Sequence, residues 1–263
     1  MTPPVVHPVA TPAEVAAFLA LPARLGPLGW SVALRMEQAW LFDPARNGFL
    51  ATNRVTRFLA WQDGRAVGRI AACVPDDPAA PATFGFLCCV EDQAVLAGLL
   101  DATRRWIAAT GRDGMLGPLS FSINHEVGAL VEGLGRAPML HMPRTPPWLP
   151  AMLEACGLTA AQDVLACSLD LAAERHRARY AALSAARPRE ARRLALRRLD
   201  RRRFTAELRE VGARYNAGWA ANWGAVPLGM REVETLGGLL RPLLWRGEVV
   251  FADWDGAPAG LLS

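Results

Sequence analysis

Two turn signals 192 residues apart constrain this 263-residue chain more than anything else in it. The first is Asp63-Gly-Arg-Ala-Val-Gly68 and the second is Asp255-Gly-Ala-Pro-Ala-Gly260. Asp-Gly between apolar runs favours a two-residue hairpin turn, because both turn residues must take positive φ. Each hairpin follows the same order of segments: a strand, a helix, then an irregular stretch. Trp61 and Trp254 precede the two turns, one residue out of register. Repetition of a whole supersecondary unit points to two copies of one architecture. The expected division is one copy over 1–172, an arginine-rich linker or helix over 173–190, and the opening part of a second copy over 191–263.

The periodicity supports this order. Val5 to Val9 suits a short strand, and Thr11-Pro-Ala-Glu14 has the residues of a capping box that starts a helix. The stretch 22–53 is irregular, with a helix around Val32–Leu41. Phe58–Trp61 and Ala66–Cys73 are expected strands, and the apolar run Phe84–Val90 is an expected central strand. A helix runs from Glu91-Asp92 to Thr110 and stops at Gly111. Short strands follow at Met115–Leu119 and Val164–Leu169, with a helix at Pro147–Cys156 between them. In the second copy, Leu194–Leu199 is a strand and Asp200 caps a helix. That helix carries Phe204, Leu208, Val211, Tyr215 and Trp219 on one face, expected to be core. Val249–Ala252 and Ala259–Leu262 complete the second hairpin. The fold class is α+β, a mostly antiparallel mixed sheet flanked by helices.

Composition excludes several chemistries. All 29 basic residues are arginine, with no lysine. A Walker-type phosphate lysine, a Schiff-base lysine and a kinase-type lysine are therefore ruled out. The five cysteines, Cys73, Cys88, Cys89, Cys156 and Cys167, form no C-x-x-C pair, which suits reduced thiols in a cytoplasmic protein. The four histidines, at 7, 125, 141 and 176, lack metal-ligand spacing, so no metal is expected. No segment has the roughly 18 consecutive apolar residues of a membrane span, and no secretory leader is visible. Arg175–Arg203 holds 12 arginines against Glu190 and Asp200. Such a block suits either a solvated helix and linker or a nucleic-acid contact.

Two polar strings stand out. Ser120-Phe-Ser-Ile-Asn-His-Glu-Val-Gly128 follows a predicted strand, and Ser122, Asn124, His125 and Glu126 could converge on a ligand with Glu126 as a base. The alternative is a polar turn whose side chains cap backbone groups. In Asn216-Ala-Gly-Trp-Ala-Ala-Asn-Trp-Gly-Ala-Val-Pro227, the residues Asn216, Trp219, Asn222 and Trp223 fall three or four apart. On a continuous helix they share a face. Amides there would orient a polar substrate and indoles would wall it. Capping of the helix end is the alternative.

The order of elements resembles the GNAT acyltransferase superfamily, and Trp148-Leu-Pro-Ala-Met-Leu-Glu-Ala-Cys-Gly-Leu158 is similar to its late helix signature. More closely, Phe58–Ile70, Gly117–Gly133 and Asn216–Pro227 resemble a bacterial family of tandem GNAT-like proteins, usually longer than this chain. The resemblance implies transfer of an acyl group from acyl-CoA to a small-molecule amine, with the active copy being the second, present here only in its opening third. It includes Ser122, Asn124, Glu126 and Gly128. Where the family has His-Asn before paired prolines, this chain has Arg144-Thr145. The superfamily holds the acyl-CoA pyrophosphate on a glycine-rich turn at a helix N-terminus. Here that turn is Leu87-Cys-Cys-Val-Glu-Asp-Gln-Ala94, which places Glu91 and Asp92 against the phosphates. The first copy is therefore expected not to bind CoA in the usual way. A non-catalytic binding module, nucleic-acid binding through Arg175–Arg203, and a homodimer through the last strand remain the alternatives for function and partners.

Overall fold

The computed structural model describes residues 2–25, 35–137, 139, 142–170, 172–185, 192–241 and 248–262. The chain falls into two units, residues 1–161 with 223–235 and residues 162–222 with 236–263. The first unit opens with β1 (Val5–Pro8), α1 (Pro12–Arg24) and α2 (Arg35–Leu41). The capping box at Thr11 is present: its hydroxyl accepts from the Glu14 N–H, and the Glu14 carboxylate accepts from the Thr11 N–H. Pro22 lies inside α1, in the stretch expected to be irregular. Burial of Phe18 and Leu21 holds the helix together through a residue that local propensity would use to end it.

Four strands follow one another in space as they do in sequence: β1, β2 (Asn53–Gln62), β3 (Arg65–Pro75) and β4 (Thr83–Cys89), all antiparallel. Side chains alternate between the two faces of this sheet. Phe58, Ala60 and Ile70 pack with Leu96, Leu99 and Leu149 under α3 (Gln93–Ala109) and α4 (Leu149–Ala155). Leu59 and Ala71 pack on the other face with Phe18, Phe49, Phe86 and Phe121.

Residues 115–119, expected as a strand, make one parallel bridge to β4, between Thr83 and Leu116. The two backbones then meet at Gly85, where a Cβ would lie 2.0 Å from the Leu119 carbonyl oxygen. Only glycine permits that approach. Immediately beyond, β4 bulges. Arg69 faces Cys88 and Ala71 faces Gly85, so Phe86 and Leu87 together oppose Ile70, with Phe86 at φ 49°. At the bulge, the Phe86 N–H donates to the Ser120 hydroxyl at 3.4 Å and the Phe86 ring lies 4.8 Å from that of Phe121.

The second unit contains α5 (Glu174–Ala185), β5 (Leu194–Arg198), α6 (Phe204–Trp219), β6 (Val250–Trp254) and β7 (Ala257–Leu262), while α7 (Met230–Leu240) begins in the first unit. β5, β6 and β7 form an antiparallel sheet in that order. The repeat extends to backbone detail. Asp63-Gly64 and Asp255-Gly256 all have positive φ. The β3 bulge at Val67, opposite Ala60 and Trp61, and the β7 bulge at Ala259, opposite Ala252 and Asp253, are 192 residues apart. The first residues of α1 and α6, Pro12 and Phe204, are also 192 apart. Asp200 accepts from the Arg202 N–H and starts the second helix as expected.

Two expectations fail here. Val164–Leu169 is not a strand, since no neighbouring strand pairs with it, and Leu165 is 85% exposed. The apolar stripe of α6 is core only in part. Leu208 is buried, but Trp219 is 53% exposed and stacks on Tyr215. Arg214 takes the central place instead, with hydrogen bonds to Glu210, Asp253 and the Ala252 and Gly260 carbonyls. A Gly85→Ala substitution should lower stability by at least ~1–3 kcal/mol, the usual scale of overpacking. Chemical denaturation checks this, and an unchanged midpoint would contradict the close contact.

Candidate functional site

Past the Gly85 contact, β4 and residues 118–120 separate around a cavity of about 40 Å³ within the first unit. Gln38, Arg69, Ser120, Glu126, Arg144 and Leu149 are among the residues that line it. Arg69 sits in the middle of β3 and is 3% exposed. Its Nη1 donates to the Phe18 carbonyl at 2.7 Å and to Gln38 Oε1 at 3.0 Å. Its guanidinium lies 4.7 Å from the centre of the Phe18 ring. The Nε atom is buried and has no hydrogen-bond partner among the described residues. Burial pulls the guanidinium down to about 10, against the opposing pull of nearby Cys88 and Glu126. Glu126 thus shares both the cavity and the electrostatic field of Arg69. A half-buried carboxylate beside a buried cation is a common setting for proton transfer.

The other two members of the first string do different work. The Ser122 hydroxyl accepts from the Asn124 N–H at 3.2 Å and lies 3.2 Å from His125 Nδ1. The Asn124 amide donates to the Val226 carbonyl at 3.0 Å. Asn124 therefore ties the first polar string to the end of the second, a juxtaposition that spacing does not reveal. Residues 223–235 are held further along by Thr235, whose hydroxyl donates to the Arg46 carbonyl at 2.6 Å. At Gly48, a Cβ would fall 2.0 Å from the Arg231 Cβ, so this segment lies directly on the backbone there.

The continuous helix on which Asn216, Trp219, Asn222 and Trp223 would share a face is not formed. Helix α6 stops at Trp219, and the chain then turns through Gly224 at φ 68°. Helical spacing no longer applies beyond that point. Trp219 and Trp223 are 53% and 40% exposed, and Asn222 is exposed. Asn216, Trp219 and Asn222 belong to the second unit and Trp223 to the first.

At the N-terminus of α3, Asp92 accepts from the Ala94 and Val95 N–H groups at 2.8 and 3.4 Å, with Glu91 exposed beside it. The donors that would hold a pyrophosphate are engaged by a carboxylate of the chain itself, so the residues there do not fit that group. Cys88 and Cys89 are buried strand residues, and burial pushes the Cys88 thiol up to about 12. Among the described residues, no group of three or more His, Cys, Asp or Glu side chains is placed to hold a metal ion. None of the described helices is long and apolar enough to cross a membrane.

Sequence reasoning missed Arg69, Arg144 and Glu232. Arg69 had a signal, being the one charged residue in the apolar run Ala66–Val74. Glu232 had none. It is 5% exposed, and its Oε1 has no hydrogen-bond partner among the described residues. Burial raises its carboxyl to about 7, against the opposing hydrogen bond from the Gly229 backbone.

No model of a known protein family matches the chain. Over 265 residues it is 33% identical to the bacterial ceramide synthase of Caulobacter vibrioides (strain NA1000 / CB15N), covering 98% of this chain and 68% of that protein. Over 264 residues it is 30% identical to protein YghO of Escherichia coli K12, covering 95% of this chain and 65% of that protein. The chain thus spans about two thirds of the length of these relatives. Among solved structures, it is similar to a tandem GNAT protein from the clavulanic acid biosynthesis pathway, at 20% identity and a TM-score of 0.49, covering 98% of this chain and 73% of that one. A predicted acetyltransferase with acetyl-CoA from Clostridium acetobutylicum is similar at 11% identity and a TM-score of 0.38, over 64% of this chain and 96% of that one.

The raised Glu232 carboxyl has a signed consequence. Between its ordinary value of 4.5 and about 7, the unfolded chain loses this proton while the folded chain keeps it. Its contribution to stability is therefore fully present below 4.5 and is lost as pH rises toward 7. Thermal unfolding from pH 4.5 to 8 should show a decline that Glu232→Gln flattens. Parallel profiles for the two proteins would contradict the buried, neutral carboxyl.

Proposed function

We propose an N-acyltransferase, on the premise that the chain belongs to the family of the bacterial ceramide synthase of Caulobacter vibrioides and protein YghO of Escherichia coli. The observation that carries this reading is the 33% identity to the ceramide synthase across 98% of this chain. A ceramide is the amide of a fatty acid with a long-chain amino alcohol. Its formation from an activated acyl group is N-acyl transfer, and that reaction class is the one proposed here. The element order of the first unit supports the same reading: strand, helices, hairpin, bulged strand, helix, and a following segment that parts from the bulged strand.

The proposed chemistry lies in the first unit, although the family resemblance implies the second copy. The reason is the cavity. Glu126 lines it and is the group proposed to take the proton that an acceptor amine sheds on acylation. Arg69, held by Phe18 and Gln38, lines the same cavity as Glu126. The proposed donor is acyl-CoA. Its pyrophosphate is not seated at α3, where Asp92 occupies the N–H groups.

Incubation with acyl-CoA and a panel of long-chain and short-chain amines, read by mass spectrometry, should yield an amide. Glu126→Gln should lower kcat by about 100-fold, the usual scale of general-base loss. No amide from any amine with the wild-type chain, or full activity in the variant, would contradict the proposal.

A further inference from the structure

We propose that the open face of the β5–β6–β7 sheet is the seat of an amphipathic helix of the α3 kind. Its source is the length of polypeptide that the longer relatives carry after their match to β7. This rests on the repeat within the chain and takes nothing from the acyl transfer proposed above.

The two hairpins match residue by residue across one face. In the first unit, Phe58 pairs with Ile70, and Ala60 pairs with Gly68 and Val6. In the second, Val250 pairs with Leu262, and Ala252 pairs with Gly260 and Leu196. Directly paired residues of antiparallel strands point to the same side of the sheet. Every member of the first set therefore has an apolar or glycine counterpart in the second. In the first unit, α3 lies on this face. A Cβ at Gly68 would fall 2.8 Å from Leu99 Cδ1 and 2.9 Å from Val95 Cγ1, and one at Gly98 would fall 3.2 Å from Val6 Cγ2. Phe58, Ala60 and Ile70 are buried in the same cluster as Val95, Leu96 and Leu99.

Among the described residues, the second unit covers the opposite face of its sheet and leaves this one open. Phe251, the counterpart of Leu59, is fully buried, and Arg214 of α6 lies 5.2 Å from its ring centre. Leu59 is buried with Phe18 and Leu21 of α1, so α6 serves its sheet as α1 serves the first. On the other face, Leu196 and Leu262 are 64% and 71% exposed, with Leu194 and Trp254 exposed beside them. At Gly260, a Cβ would meet the Ala252 Cβ at 3.6 Å, where Gly68 meets a helix. A contiguous apolar patch of this kind marks an interaction surface. The first unit shows what fits it: the chain leaves β3, forms β4 and returns over the face as α3. An apolar helical stripe is the complement of such a sheet. About a third of each of the longer relatives lies outside its match to this chain, which is ample for one strand and one helix.

The test is co-expression of the full chain with a tagged fragment of the Caulobacter vibrioides ceramide synthase, made of the residues that follow its match to β7. Capture of the fragment should retain the chain one to one. Leu196→Glu and Leu262→Glu, both at exposed positions, should each lower the retained chain at least tenfold. Leu165→Glu, on an exposed stretch outside the sheet, should leave it unchanged. Hydrogen exchange on the complex should reveal a protected stretch of helix length in the fragment. No retention, retention indifferent to both leucines, or a bound fragment without such a helix would overturn the proposal. So would a chain that by itself sediments as a dimer separated by Leu262→Glu, or that binds anionic vesicles through the same two leucines.

Discussion

The backbone contact between Gly85 and Leu119 is the constraint on which the first unit depends. It locks residues 115–119 against the start of β4. It also forces the extra length of β4 into the bulge at Phe86 and Leu87. The two segments then part, and the cavity is the space they leave. Because a bulge redirects side chains as well as backbone, Arg69 and Cys88 end up opposite each other at the cavity's edge. A side chain at position 85 would remove the reason for every one of these features.

The cavity is polar because charged groups from separate parts of the chain reach it. Arg69 comes from β3, Glu126 from the loop after Leu119, and Arg144 from the approach to α4. Neutral oxygens from α1 and α2 hold Arg69 in place without neutralising it. The neighbouring Ser122 and Asn124 shape the loop and fasten residues 223–235, leaving Glu126 to face the cavity. Positioning and chemistry are thus divided among adjacent residues of one short string.

What the sequence made legible was local. The hairpins, the Thr11 capping box and the Asp92 cap depend on neighbours within a few residues, and each was readable from them. The 192-residue repeat was readable because both copies carry the same turn chemistry. Glu126, singled out because polar residues cluster after an apolar run, lies on the cavity wall. The readings that failed depended on partners elsewhere in the chain. Val164–Leu169 has strand composition but pairs with no strand among the described residues. Asn222 and Trp223 keep helical spacing to Trp219 only if the helix continues, and it stops. Glu232 acquires its character from burial alone, which no spacing encodes.

The central claim is that the space past Gly85 holds the reacting amine. A crystal structure of the chain with an N-acylated long-chain amino alcohol, an amide product of the proposed reaction class, tests it most directly. The account predicts the amide group in the cavity, with its nitrogen toward Glu126. An ordered product bound elsewhere on the protein, with the cavity holding only water, would contradict it.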